Sequence, residues 1–187
     1  IQADRSALVD AVDRFAVDIL PAVRQTFDSP ESEILIHIVH YQDANDDGRG
    51  CFSPETGAVH VNLAHQSPKD ASYLGTLAHQ SQHVIHWHMD ANEERWLNKG
   101  LSELAPLAAG LDPSQSDEVF RDAFDTQLNH WPHDRESPSL AAHRGAAYRY
   151  VLYLWERFGD EYISDLSQHP ANGLSSIDAV LAARETG

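Results

Sequence analysis

The spacing of apolar residues divides the chain into a short strand-rich part and a long helical part. Residues 5–27 have apolar positions three or four residues apart, which predicts an amphipathic helix bent near Pro21. Residues 33–41 alternate between apolar and polar positions and are rich in β-branched side chains, which predicts a strand. Residues 58–63 predict a second strand, and residues 43–50 have the composition of a turn.

From residue 70 onward the pattern is helical. Asp70 is a candidate N-cap for a helix that runs to about Met89. The remaining predicted elements are helices over 93–110, 115–125, 139–158, 160–168 and 174–185, and a polar loop over 129–138. A small sheet followed by helices is typical of the α+β class.

The length of the chain predicts one domain over residues 1–187. We divide it into an N-terminal helix (1–30), a sheet with two following helices (33–110) and a helical part (111–187). Because the chain begins at Ile1 and shows no signal segment, we expect it to be a trimmed or mature fragment.

Composition limits the partners. The formal net charge is −16, which nucleic acid and anionic membranes repel, so neither is an expected partner. No apolar run approaches the ~20 residues that a membrane span requires. Cys51 is the single cysteine and therefore forms no internal disulfide.

The helix predicted after Asp70 carries a pair of histidines with metal-ligand spacing. His79 and His83 are four residues apart, so they lie ~6 Å apart along the helix axis and can converge on one Zn²⁺ ion. His86 lies on the same face but ~10 Å from His79, so a third ligand must come from another segment. In isolation, a chance pair of histidines one turn apart is the commoner explanation.

A second motif changes that balance. Residues 96–103 read WLNKGLSE, after TLAHQSQHVIHW over residues 76–87. Together these segments resemble gluzincin-type zinc metallopeptidases, and more narrowly the secreted bacterial domains known as immune-inhibitor-A-like. The pattern of those domains is His-Glu-x-x-His followed by Trp-Leu-Asn-Glu-Gly-x-Ser-Glu. Residues 142–154 resemble their C-terminal helix, so the resemblance spans about residues 33–185.

The resemblance implies a zincin-like α+β fold, with a small mixed sheet, an active-site helix and a mainly helical C-terminal half. It also implies a zinc cofactor, a peptide or protein partner and an extracellular location. An extended peptide would pair with an edge strand within residues 50–63. The implied zinc ligands are His79, His83 and the residue at position 99, and Glu103 would orient His79 from behind.

Two positions depart from the family pattern. Gln80 stands where the family has its general-base Glu, and an amide cannot take a proton from a metal-bound water. Lys99 stands where the family has its third ligand, and a protonated lysine offers donors but no acceptor. We therefore predict that catalysis is absent or strongly impaired and that zinc binding is weak or absent. The ammonium of Lys99 would take the place of the metal charge.

Alternative functions remain open on the sequence alone. One is a non-catalytic module that binds peptides or proteins in the same cleft, and another is a domain that binds metal weakly without catalysis. Gln80 and Lys99 are compatible with a natural loss of catalysis, and Gln80 also with a deliberate isosteric change.

Two further sets of residues are candidates for minor roles. Asp43, Asn45 and Asp47 match the start of a calcium-binding loop, although Pro54 stands where the last acidic ligand belongs and strands flank the segment. An acidic turn is the favoured interpretation. His143 and Tyr148 could stabilise an oxyanion in an active relative, and core packing of Tyr148 is favoured over that role.

Overall fold

A three-stranded mixed sheet forms one side of the protein, and helices form the rest. The computed structural model describes residues 5–27, 35–46, 48–133 and 137–185. Within these ranges the strands are β1 (His37–Tyr41), β2 (Gly50–Ser53) and β3 (Ala58–Asn62). Their order is β1-β3-β2, with β3 parallel to β1 and antiparallel to β2. The predicted α+β class is confirmed.

Strand β3 lies in the centre of the sheet, with Val59 and Val61 fully buried. The predicted strand over 58–63 is therefore confirmed, and β1 confirms the C-terminal part of the strand predicted over 33–41. Residues 33 and 34 lie outside the described residues. Strand β2 was not predicted, and Gly50 was assigned to a turn. Its short sequence has low strand propensity, and pairing with β3 stabilises it instead.

The N-terminal helix is irregular before its proline. Helix α1 (Arg5–Arg14) continues through a π-helical turn (Phe15–Ile19) into α2 (Leu20–Phe27). The N–H of Leu20 donates to the carbonyl of Phe15, five residues back. Pro21 has no N–H to donate, so an ordinary α-helical ladder cannot pass this point. The predicted helix over 5–27 is confirmed, and its irregular turn ends two residues before Pro21.

The helical part begins at α3 and follows the predicted order. Its helices are α3 (Ala71–Met89), α4 (Arg95–Ala108), α5 (Ser116–Arg121), α6 (Leu140–Phe158), α7 (Asp160–Ser167) and α8 (Leu174–Glu185). Helix α5 is shorter than predicted. Asp70 precedes α3, but its carboxylate accepts the N–H of Ser67 rather than capping the helix. Helix α6 ends at Gly159, whose φ of 80° favours glycine.

Helix α4 packs against both α3 and α6. Its close approach to α6 depends on Gly100, because a Cβ there would lie 2.6 Å from Val151 Cγ2 and 2.7 Å from the carbonyl oxygen of Ala147. Buried Trp96, Leu97, Leu101 and Leu104 anchor the helix. This packing brings Asn98 and Lys99 to the histidines of α3. Among the described residues, no helix combines the length and apolarity needed to cross a membrane.

Candidate functional site

A cleft runs between β2 and helices α3 and α4. It consists of two adjoining cavities of about 440 and 520 Å³. Both cavities are lined by Gly50, Gln80, Lys99 and Arg144, so these four residues mark the place where the cavities meet. The cleft therefore passes directly over the two motifs that the sequence singled out.

His79 and His83 lie together on α3, as their spacing predicts. Their ring centroids are 5.0 Å apart and their ring planes are inclined by 80°. His83 is buried, and Nδ1 of His79 is directed toward Glu103. Each histidine lines one of the two cavities. The structure thus brings the two histidines of the motif together on α3.

Lys99 Nζ lies 2.8 Å from His83 Nε2. The ammonium has only N–H groups to offer, so Nζ donates and the imidazole nitrogen accepts. A zinc ion bound to His83 would need the lone pair of that same nitrogen, at a Zn–N distance of about 2.0–2.1 Å. The lone pair is already used, and a positive charge stands beside it. The residues present therefore do not fit a zinc ion at this position.

The electrostatics of the histidine pair agree with this geometry. Burial holds the pKa of His79 well below the ordinary 6.5, and the charges of Lys99 and Arg144 lower it further. Burial and the same two cations also hold the pKa of His83 well below 6.5, together with the neighbouring histidines. Both rings are neutral near pH 7, which suits an imidazole that accepts a hydrogen bond from an ammonium.

Gln80 does not face the cleft as an unused amide. Its Nε2 donates to the carbonyl oxygen of Gly50 at 3.1 Å, and the side chain is buried. The hydrogen bond fastens the edge strand β2 to helix α3. A glutamate at this position could not donate it while ionised. Gln80 is therefore a structural link between β2 and α3.

Glu103 lies behind His79. Its Oε1 is 3.9 Å from Nδ1 of His79, which is longer than a hydrogen bond. The other carboxylate oxygen accepts a hydrogen bond from the hydroxyl of Ser114. The carboxylate is thus near Nδ1 of His79 without a hydrogen bond to it. The partner Ser114 lies in the connection after α4, where no motif marks it.

The candidates for an oxyanion role lie away from the cleft lining. His143 is buried, its Nδ1 is 3.0 Å from the carbonyl oxygen of Gln127, and its ring packs against Trp131. Tyr148 is buried in the core. The residue of α6 that lines both cavities is Arg144. The only sequence signal for Arg144 as a cleft residue was its position next to His143 on the predicted helix.

The candidate calcium loop is a turn between two strands. Asp43 Oδ1 accepts hydrogen bonds from the backbone N–H and the side-chain amide of Asn45, at 2.9 and 3.3 Å. Both bonds go to the same oxygen, Oδ1 of Asp43. Asp47 lies outside the described residues. Strands β1 and β2 flank the segment, in agreement with the favoured interpretation of an acidic turn.

Aromatic residues also border the cleft. Phe52 of β2 and Trp87 of α3 line the same cavity, with ring centroids 6.3 Å apart, and Trp87 is 44% exposed. No local sequence pattern shows this pairing of rings, because it depends on how β2 crosses α3.

The chain matches no protein-family model and no curated protein.

Proposed function

We propose that this chain is a zincin-like domain without hydrolytic activity, in which a lysine ammonium replaces the zinc ion. The observation that carries the proposal is the 2.8 Å contact between Lys99 Nζ and His83 Nε2. An ammonium at that nitrogen supplies positive charge to the histidine pair without offering an open coordination position. It therefore cannot polarise a substrate carbonyl or activate a water as a metal does.

The state of Gln80 supports the same proposal. Its amide is committed to the carbonyl of Gly50, and an amide has no basic site at neutral pH. The two groups that metallopeptidase chemistry requires most directly, the base and the third ligand, are thus both replaced by donors. Because the resemblance is to secreted peptidases, we infer an extracellular location.

Restoring the family residues tests the proposal. The unmodified protein should lack peptidase activity and should bind no zinc that depends on His83. Lys99→Glu should add a zinc equivalent that His83→Ala then removes, and Gln80→Glu together with Lys99→Glu should add peptide hydrolysis. Lys99→Met is the matched control, because it removes the ammonium without supplying a ligand.

Three outcomes contradict the proposal. Zinc that depends on both His79 and His83 in the unmodified protein is one, and hydrolysis by that protein is another. If the double variant folds but binds no additional zinc, His79 and His83 do not form the ancestral metal site. Comparing each variant with its His83→Ala partner excludes zinc bound elsewhere on the chain.

A second candidate function is the binding of an extended peptide in the cleft. The observation that favours it is the position of β2 as an edge strand along one wall. The carbonyl of Arg49 accepts the N–H of Asn62, and the alternation of an antiparallel pair then directs the backbone groups of Gly50 and Phe52 away from β3. Because the Gly50 carbonyl accepts the Gln80 amide, the N–H of Gly50 and the backbone groups of Phe52 are those that could pair with an added strand.

A weak metal-binding role is the remaining alternative. Zinc titration separates it from the other two, since a peptide-binding domain with Lys99 in place needs no ion in the cleft. A calcium titration of the unmodified protein and of Asp43→Asn tests calcium binding in the same way. Calcium binding that this substitution abolishes would support a role for the β1–β2 turn.

A further inference from the structure

A second group of metal-ligand side chains lies at the end of α3, apart from the His79/His83 pair. It consists of His86 on α3 and of Asp90 and Glu93 in the connection to α4. One ligand atom of each residue lies within 4.8 Å of the other two. We call these three residues the His86 cluster.

Each residue of the cluster has one buried polar atom with no hydrogen-bond partner among the described residues. These atoms are Nε2 of His86, Oδ2 of Asp90 and Oε2 of Glu93. The His86 side chain is fully enclosed, at 0% exposure. Buried polar atoms in proteins are almost always paired, because an unpaired one keeps the full penalty of leaving water. Three such atoms on three clustered side chains point to a shared partner.

The second polar atom of each side chain is held by protein. Asp90 Oδ1 accepts the N–H of Asn92 at 3.1 Å, and Glu93 Oε1 accepts the N–H of Gly173 at 2.8 Å. His86 Nδ1 contacts the side-chain amide of Asn98 at 3.2 Å. Each side chain is thus held by one polar atom, while its other polar atom is buried without a partner. Metal ligands are commonly oriented in this way by groups behind them.

The amide of Asn98 can also set the tautomer of His86. If the Asn98 side chain turns its oxygen toward Nδ1, that nitrogen carries the proton and Nε2 presents its lone pair to the cluster. Turning a terminal amide by 180° exchanges its oxygen and nitrogen with little change of shape. Binding of an ion at Nε2 would select this arrangement.

The charge of the cluster also favours a cation. Burial lowers the pKa of His86 to about 4, so its ring is neutral near pH 7. Burial raises the pKa of Glu93, and the neighbouring Asp90 and Glu94 carboxylates add to that effect. A doubly charged ion would balance two carboxylates held close together away from water.

We propose that His86, Asp90 and Glu93 bind a divalent transition-metal ion, with Zn²⁺ as the best fit. One imidazole nitrogen and two carboxylate oxygens suit zinc, whereas calcium and magnesium prefer oxygen ligands alone. Tetrahedral zinc ligands lie about 3.4 Å apart. The ligand atoms here lie within 4.8 Å of one another, so they would have to approach by at most about 1.4 Å, a change that carboxylate rotation can supply. Asp90 also lines the cleft, which gives the ion a route of entry.

The ion would act as a structural link. Glu93 already connects the α3–α4 segment to Gly173, just before α8. An ion at the His86 cluster would therefore join the end of α3, its connection to α4 and the turn before α8. This site does not depend on the function proposed for the cleft.

The test is metal binding by the full chain after removal of metal with a chelator. Zn²⁺ should bind with one equivalent at the His86 cluster and raise the melting temperature by several degrees. Co²⁺ should give the visible absorption of a four- or five-coordinate site with one nitrogen and several oxygen ligands. Asp90→Asn and Glu93→Gln should each weaken zinc binding tenfold or more. Glu94→Gln, the adjacent carboxylate, and His83→Asn should each change it less than about threefold.

Several results overturn the proposal. One is no binding of Zn²⁺ or Co²⁺ at micromolar concentration, and another is binding that survives both Asp90→Asn and Glu93→Gln. Binding that His83→Asn removes would assign the ion to the cleft instead. If a variant fails to fold, X-ray absorption of cobalt in the unmodified protein still decides, since a shell with two or more imidazoles excludes the His86 cluster.

Discussion

Lys99 Nζ donates a hydrogen bond to His83 Nε2, so the side chain at the third-ligand position uses the lone pair that a zinc ion would need. The contact joins α4 to α3 and fixes the neutral His83 ring with its proton on Nδ1. Charge at this point of the cleft is therefore supplied by the chain itself.

Acidification should destabilise the protein through this histidine pair. His79 and His83 have pKa values well below 6.5 in the folded state, so the stability they contribute is fully present only above pH 6.5. Below that pH the unfolded chain takes up protons that the folded chain does not. The free energy of unfolding should then fall by up to about 1.4 kcal/mol per pH unit for each histidine.

Urea titrations in the presence of a chelator, between about pH 7.5 and pH 5, measure this slope. The other charged residues that face the pair are Arg144 and Glu103, and both are kept in every variant that is compared. Lys99→Met should make the slope shallower, because the ammonium is one cause of the lowered pKa values while burial remains. An unchanged slope in Lys99→Met would mean that the ammonium does not act on these rings.

Replacing Gln80 alone should destabilise the fold without restoring activity. Ionised Gln80→Glu cannot donate to the carbonyl of Gly50 and places a negative charge beside it, at an expected cost of about 1–3 kcal/mol. The loss should shrink at a pH low enough to protonate the new carboxyl group, which can then donate. Gln80→Met serves as the comparison, since its loss should not depend on pH in this way. Chemical denaturation at two pH values decides.

The edge of β2 should be required for any peptide that binds in the cleft. Phe52→Pro removes an N–H that points away from β3, so the sheet should survive while an added strand loses a hydrogen bond. Peptides selected from a random-sequence library should bind this variant at least tenfold more weakly. Cys51→Pro, whose N–H belongs to the pairing with β3, should instead destabilise the fold. Selected peptides that bind Phe52→Pro unchanged would exclude β-pairing at this edge.

The contact between α4 and α6 should tolerate no side chain at position 100. A Cβ on Gly100 meets Val151 and the backbone of Ala147 at under 3 Å, so Gly100→Ala should destabilise by about 1–3 kcal/mol. Gly75→Ala is the matched control on α3. Nothing lies within 4 Å of its Cβ position, so this change should stabilise by about 0.4–1 kcal/mol. Thermal unfolding of both variants gives the comparison, and equal effects would contradict the packing described.

Local patterns were enough to predict the helices and the central strand. Helices α3 and α6 begin and end within about one residue of their predicted bounds, and β3 contains the buried β-branched residues Val59 and Val61. Local patterns do not predict strand β2, because Gly50 and Ser53 favour turns and the strand exists only through its pairing with β3. A pairing of that kind is a property of the folded chain rather than of four residues.

In the cleft, too, contacts within one helix were predictable from the sequence and contacts between distant segments were not. Spacing along one helix was sufficient to place His79 beside His83 and to set His86 about 10 Å from His79 along the axis. The path of the connection after Met89, which brings Asp90 and Glu93 back to His86, is set by packing that no local pattern encodes. Gln80 was read only as a lost base, because its acceptor Gly50 is 30 residues away.

Helix α3 carries histidines of two separate groups only three residues apart, one engaged by Lys99 and one facing two carboxylates. A chain of this design can contain an equimolar amount of metal and still lack the machinery of a peptidase. Under the two proposals above, the metal content of this protein would report the integrity of the His86 cluster, and peptidase activity would have to be judged by whether His83 holds the ion.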